Sequence, residues 1–194
     1  MGKILGYFDG AAEPTNPGGI ATYGWVIIED DKLLGEGKGV CGTPFTRSST
    51  NNVGEYNGVK NLLQNAASMG IADILILGDS QLAIRQLSGE YGVNAPHLIT
   101  LYKECKRLEK SFSKVRYRWV PREQNSHADR LSHEAYVEYI EANRETVIPR
   151  IQPQLATEKQ KEFLKKLKIQ YDPFIGKREA SRLIDRKLNT SKRR

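Results

Sequence analysis

Four acids sit where the chain changes its character. Asp9 closes the apolar run "KILGYFD", Asp79 closes "ILILGD", and Glu55 and Asp129 lie in the first turns of two stretches with helical spacing. In an open α/β sheet, strand ends and adjoining helix starts converge on one crevice. Four carboxylates gathered there would repel one another and lose hydration, so they would resist ionising unless a cation were supplied. Oxygen ligands in that number suit Mg²⁺ or Mn²⁺. Two such ions a few ångströms apart clamp the attacking and leaving oxygens of an in-line phosphoryl displacement. Taken singly, each acid also has an ordinary explanation. An acid in a helix's first turn complements the macrodipole, and a strand-end Asp often starts a turn.

The elements that must position these acids follow from periodicity. "KILGYFDG" reads as a strand and "NPGG" as a turn; "IATYGWVIIED" is a second strand, which the "EDDK" turn joins to a third, "LLGEGKGVCG", as an antiparallel hairpin. "SSTNNVGEYNGVKNLLQNAASMG" switches to helical spacing through Val53, Tyr56, Val59 and Leu63, with Ser49 and Thr50 as candidate caps and Gly70 as a stop. "ADILILGDS" has the short apolar run of a buried strand, and "QLAIRQLSG" and "APHLITLYKECKRLEKSF" return to helix. "KVRYRWVP" alternates as a strand, and "NSHADRLSHEAYVEYIEANRE" is the last helix of the main domain, residues 1–142. This order predicts an α/β fold: a mixed sheet with a meander at one edge, parallel crossovers after it, and helices on its faces.

With 194 residues and 39% hydrophobic content, the chain can bury one ordinary core and a small appendage. No run approaches the roughly 18 apolar residues needed to span a bilayer, and "MGKILGYFDG" lacks the apolar region of a signal peptide, so an intracellular, cytoplasmic protein with no membrane partner is expected. Cys41 and Cys105 form neither a disulfide framework nor a metal-ligand pattern, which leaves buried free thiols or one incidental bridge. The charge divides unevenly: 15 basic against 17 acidic residues up to Ala142 and 15 against 6 beyond it, so −2 and +9 make up the net +7. A cationic tail attracts nucleic acid or another anionic surface, or else it is a solvated helical face.

The blocks "YFDGAAEPTNPGG", "TNNVGEYNGV", "ILGDSQLAIRQL" and "VPREQNSHADRLSHEA", in that order and at these separations, resemble the four signature blocks of type 1 ribonuclease H, nearest its archaeal-type branch. The resemblance runs from Lys3 to Ile140. It implies the ribonuclease H-like fold with a five-stranded mixed sheet, and hydrolysis of the RNA strand of RNA–DNA hybrids with two Mg²⁺ or Mn²⁺ ions per site, leaving 3′-hydroxyl and 5′-phosphate ends. It makes Asp9, Glu55, Asp79 and Asp129 the metal-binding catalytic set. It also assigns substrate contacts to Gly10, Asn16, Thr50, Asn51 and Asn52. Short amides and a hydroxyl at a helix start suit phosphate oxygens, base edges and ribose hydroxyls, though the same residues also serve as caps. Ser80 either caps the next helix or touches substrate. Double-stranded RNA is a second candidate partner, and a monomer is expected.

Two departures from the family pattern stand out. Many members carry a His in the loop before the last acid, but "VPREQN" has none, which leaves Arg122 or Glu123 in the role; Arg122 suits it better, since a guanidinium holds a phosphate bidentately. His127 reads as a surface residue, and His97 and His133 as structural. The basic handle that several members insert has no room in "LSGEYGVNAPHLI"; Lys103, Lys106, Arg107, Lys110 and Lys114 fall partly along one stripe as a substitute, or as a mixed solvated face with Glu104 and Glu109. Beyond a linker at residues 143–155, residues 156–194 read as a basic helical module with a flexible end. Thr157 and Gln160 form a capping box there, and Phe163, Leu164 and Leu167 form an apolar stripe. Such a module serves either to grip the hybrid or to lie as a stabilising lid. The alternatives to a ribonuclease H are a hybrid-binding module that does not cut and another nuclease of the same fold.

Overall fold

Asp30 and Asp31 both take positive φ, 45° and 67°, and this two-residue turn returns the chain with the twist that paired strands need. Short Asp side chains tolerate that region better than bulky ones. The turn joins β2 (Ile20–Glu29) to β3 (Lys32–Cys41), and β1 (Ile4–Glu13) pairs antiparallel with β2. β4 (Asp73–Gly78) and β5 (Lys114–Trp119) add in parallel, giving the sheet order β3-β2-β1-β4-β5. The computed structural model describes residues 2–192, and within them this is the mixed five-stranded sheet that the sequence predicts.

Strand alternation sorts the side chains onto two faces. Phe8, Trp25, Ile27, Ile74 and Ile76 turn toward α1 (Asn51–Ser68), α2 (Gln81–Leu87) and α3 (Pro96–Glu109) in the largest core cluster. Tyr7, Val26 and Ile28 turn the other way, onto Ala128 and Leu131 of α4 (Ser126–Ala142). Thr50 caps α1, its hydroxyl accepting from the Val53 N–H at 3.3 Å. Ser49 is the deeper anchor. Fully buried, it accepts from the Ala21 N–H and donates to the Gly19 carbonyl, which ties the loop before α1 to the start of β2. Cys41 and Cys105 are buried free thiols.

The stretch read as a linker is largely helical. Its Pro and Gln content suggests connecting chain, but α5 (Arg144–Ile151) and a short 3₁₀ turn (Gln152–Gln154) occupy it. Val147, Ile151 and Leu155 recur every four residues and bury against Ile20, Tyr136, Ile140 and Phe174. That burial outweighs the hydrogen bond forgone at Pro149. α6 (Glu158–Lys166) opens with the expected capping box of Thr157 and Gln160. It packs on α7 (Lys177–Lys192) through Leu164, Ile175 and Ala180. Of the expected apolar stripe only Leu164 is buried, while Phe163 is 39% exposed. The flexible end expected at the terminus falls partly outside the described residues: Ser191 and Lys192 continue α7, and residues 193–194 are not described. Among the described residues no helix is long and apolar enough to cross a membrane.

Candidate active site

β1 outruns its parallel neighbour. It pairs with β4 only through Leu5, Gly6 and Tyr7, so Asp9 stands beyond the end of β4 on an edge open to a crevice. Asp79 directly follows β4 and faces the same opening. Two glycines bring α1 in. A Cβ on Gly10 would lie 1.9 Å from the Glu55 nitrogen, and one on Gly54 would lie 2.3 Å from the Thr22 carbonyl oxygen. Backbone therefore meets backbone, and Glu55 is delivered beside Asp9. From the other face α4 approaches β2 as closely, since a Cβ on Gly24 would lie 2.4 Å from the Ala128 carbonyl oxygen, and this sets Asp129 at the rim.

One carboxylate oxygen from each of Asp9, Glu55 and Asp79 lies within 4.8 Å of the others, a spacing that suits a shared cation. Asp129 lines the same cleft, but its carboxylate is engaged by Arg122, the residue read from sequence as standing in for the absent loop His. Asp9 and Glu55 are each only 5% exposed. Burial pushes the Asp9 carboxyl up from 3.8 to about 7; the Ser132 hydroxyl opposes the rise by donating to it, and the charges of Asp129 and Asp79 add to it. Burial, reinforced by Asp9 and Asp79, likewise drives Glu55 well above the ordinary carboxylate range. Glu55 Oε2 is buried without a hydrogen-bond partner among the described residues. An orphaned acidic oxygen beside two other carboxylates is the donor set a divalent cation satisfies.

The expected substrate residues divide. Gly10, Asn16, Asn51, Ser80 and Arg122 line the cleft with the acids. Asn16 and Asn51 form a reciprocal pair: Asn16 Nδ2 donates to Asn51 Oδ1 at 2.7 Å, and the Asn51 N–H donates to Asn16 Oδ1 at 3.3 Å. Ser80 caps α2, its hydroxyl accepting from the Ala83 N–H. Thr50, the α1 cap, and Asn52 are not among the residues lining the cleft. His127 pairs with Glu36 on β3, away from the acids, and Lys106 of the basic stripe is occupied by Glu109 and the Leu87 carbonyl.

Two residues at the acids escaped the sequence reading. Ser132 donates its one hydroxyl proton to Asp9 Oδ2, with the Asp129 carbonyl oxygen 2.9 Å away as the alternative acceptor. Asn125 is 1% exposed, and its Nδ2 donates to both the Phe8 carbonyl and Asp79 Oδ1 at 2.8 Å, tying β1 to the acid after β4. Both share a helical face with Asp129, four residues before it and three after, which is the signal that would have found them.

Known proteins share this sequence pattern and this fold. The family profile described as "Reverse transcriptase-like" matches residues 8–135 and ends before α5, α6 and α7. The "Bifunctional protein Rv2228c" of Mycobacterium tuberculosis is 38% identical over 135 residues, 69% of this chain and 35% of that protein. The solved structure of its N-terminal RNase H domain superposes with a TM-score of 0.66 at 32% identity, covering 74% of this chain and 99% of that one. "Ribonuclease HI" of Halobacterium salinarum is 37% identical over 135 residues, 69% of this chain and 64% of that protein, and its crystal structure gives a TM-score of 0.63 over 71% of this chain and 99% of that one. LC11-RNase H1, solved in complex with an RNA/DNA hybrid, gives 0.64 at 28% identity, covering 71% of this chain and 99% of that one. The chain thus spans about a third of the mycobacterial protein's length and just under two thirds of the halobacterial one's.

Proposed function

The chain belongs to the ribonuclease H family, and from that membership we propose that it is a metal-dependent endoribonuclease that hydrolyses the RNA strand of RNA–DNA hybrids. The observation that carries the reading is the trio Asp9, Glu55 and Asp79 in an open cleft, one of its buried oxygens unpartnered. LC11-RNase H1, a fold relative at 28% identity, was crystallised with an RNA/DNA hybrid, which supports the choice of substrate.

In the proposed reaction a water oxygen bonds to phosphorus, the bond from phosphorus to the ribose 3′-oxygen breaks, and that oxygen takes a proton. The products are a 3′-hydroxyl and a 5′-phosphate. Asp9, Glu55, Asp79 and Asp129 are the groups that hold Mg²⁺ or Mn²⁺, two ions to a site. When bound, such ions neutralise charge on the scissile phosphate and lower the pKa of water. Ser132 and Asn125 keep the Asp9 and Asp79 carboxylates aimed. Arg122 moves from Asp129 to a phosphate oxygen as substrate enters, and its guanidinium charge then faces the charge building there. Asn16 and Asn51, paired with each other in the free protein, present amides to the strand, where a ribose 2′-hydroxyl that both donates and accepts separates RNA from DNA. Gly10 contributes the close approach of α1 rather than a side chain.

The test is cleavage of four end-labelled duplexes, RNA–DNA, DNA–DNA, RNA–RNA, and DNA with one embedded ribonucleotide, with Mg²⁺, with Mn²⁺ and with chelator. Internal cutting of the hybrid's RNA that chelator abolishes is the expected result. Tight hybrid binding without cutting under either metal would overturn the enzymatic reading.

A further inference from the structure

The cleft has a second wall. Its cavity of about 790 Å³ is bounded on one side by the acids and on the other by residues 170–183, which include Asp172, Gly176, Arg178, Glu179 and Arg182. These residues lie outside the segment that the family profile matches. The wall is built from an amphipathic helix. α7 buries Ala180 and turns Leu183 and Ile184 onto Leu164 and Ile175, while Gln160 of α6 donates through Nε2 to the Lys177 carbonyl and Ser181 Oγ. With its apolar side so occupied, α7 turns Arg178 and Arg182, one helical turn apart, to the cleft. Both are exposed. Arg182 pairs with Glu179 in its own helix, and no hydrogen bond or ion pair engages the Arg178 side chain among the described residues.

The wall is fixed rather than loosely tethered. The buried Tyr136 hydroxyl donates to the Phe174 carbonyl at 3.1 Å, and the Ala156 N–H donates to the Ile175 carbonyl at 2.8 Å. His133 of α4 stands between Glu13 of β1, at 3.1 Å, and Asp172, at 3.7 Å. Gly176 lies so close to the loop after β1 that a Cβ on it would come within 2.6 Å of the Pro14 carbonyl oxygen. The same loop carries Asn16.

A nucleic-acid strand crossing the acids meets four carboxylates on one side and needs cationic partners on the other. We propose that α7 is the far wall of the nucleic-acid channel and that Arg178 and Arg182 hold backbone phosphates of the strand lying over the acids. The assignment rests on the hybrid substrate proposed above, and it gives the basic tail a specific task. Arginine suits that task, because its planar fork meets two phosphate oxygens at once. A phosphate contact holds substrate in ground state and transition state alike, so its loss raises KM and leaves kcat unchanged.

The experiment compares the full chain with Arg178→Ala/Arg182→Ala, with Arg178→Lys/Arg182→Lys, and with Lys165→Ala/Lys166→Ala on the outer side of α6. Hybrid binding and cleavage are followed from low to high salt, and thermal unfolding checks each variant's fold. The arginine-to-alanine pair is expected to raise KM and Kd roughly tenfold and to flatten the slope of log K against log salt by about two, while kcat holds and the lysine pair recovers part of the affinity. The α6 variant is expected to leave the slope unchanged. Equal effects from the two alanine pairs would reduce α7 to diffuse charge and overturn the assignment, as would wild-type affinity in the Arg178/Arg182 variant. Should the wild type bind hybrid without cutting, the binding slopes still decide the role of α7 while the enzymatic reading fails. A wild type that neither binds nor cuts overturns both.

Discussion

Glu55 is a carboxyl held out of water, one of its oxygens without a partner among the described residues and one within 4.8 Å of two more acids. Such a group is costly to ionise when nothing neutralises it, and its raised pKa expresses that cost. Glu55→Gln keeps the shape and removes the charge. In chelator at neutral pH the variant is expected to be more stable than the wild type, by about 1 kcal/mol or more, because the unfolded chain ionises Glu55 freely while the folded site opposes it, a penalty that glutamine does not carry. Added Mg²⁺ or Mn²⁺ should raise the wild type's melting temperature and move the variant's much less. A variant less stable without metal, or equally stabilised by it, would mean that Glu55 serves packing and not a cation. At this scale the sequence was informative in one direction only. The four acids could be found because each sits at an element boundary, whereas Ser132 and Asn125 are marked only by their spacing from Asp129, which many other residues share.

Between elements, what decides the site is how near α1 comes to β1. Gly10 and Gly54 cross without side chains, and a methyl group on Gly10 would overlap the backbone of Glu55. Gly10→Ala is therefore expected to push α1 outward, at a cost of about 1–3 kcal/mol, and to suppress cleavage far more than an ordinary surface substitution. Thermal unfolding and a cleavage rate measured on the same preparation check this; wild-type rates in a folded Gly10→Ala protein would show that the helix has slack. The strands and the first four helices were legible because their apolar periods of two and of 3.6 are strong, and the cap at Thr50 was equally plain. α5 was not. Pro149, Gln152, Pro153 and Gln154 outweigh, to the eye, the spacing of Val147, Ile151 and Leu155, whose meaning depends on an apolar surface formed by Ile20, Tyr136 and Phe174 from other parts of the chain. The stripe at Phe163 fails for the same reason, since only one of its faces finds a partner.

Across the whole molecule, His133 is an ionic link between the main sheet and the C-terminal segment. Asp172 and Glu13 on either side hold its imidazole protonated up to about 10, against an ordinary 6.5, with burial opposing them. A raised pKa means that the folded state binds the proton more tightly, so the link contributes fully below about 6.5, while both carboxylates stay ionised, and fades as pH climbs through about 10. His133→Gln should lower the melting temperature near neutral pH, and the gap from the wild type should close at strongly alkaline pH. A gap independent of pH would assign His133 to packing against Tyr136 instead. The same link ties the two ends of the chain: Glu13 and Pro14 meet Asp172 and Gly176 only after nearly everything between them has been laid down. A ribosome delivers this chain from its amino end, so the acids can be folded and facing water well before the helix that walls them in has left the exit tunnel. The cleft is thus finished long after its acids are in place, and a nascent chain stalled before residue 172 would carry those acids in a trough with one side missing.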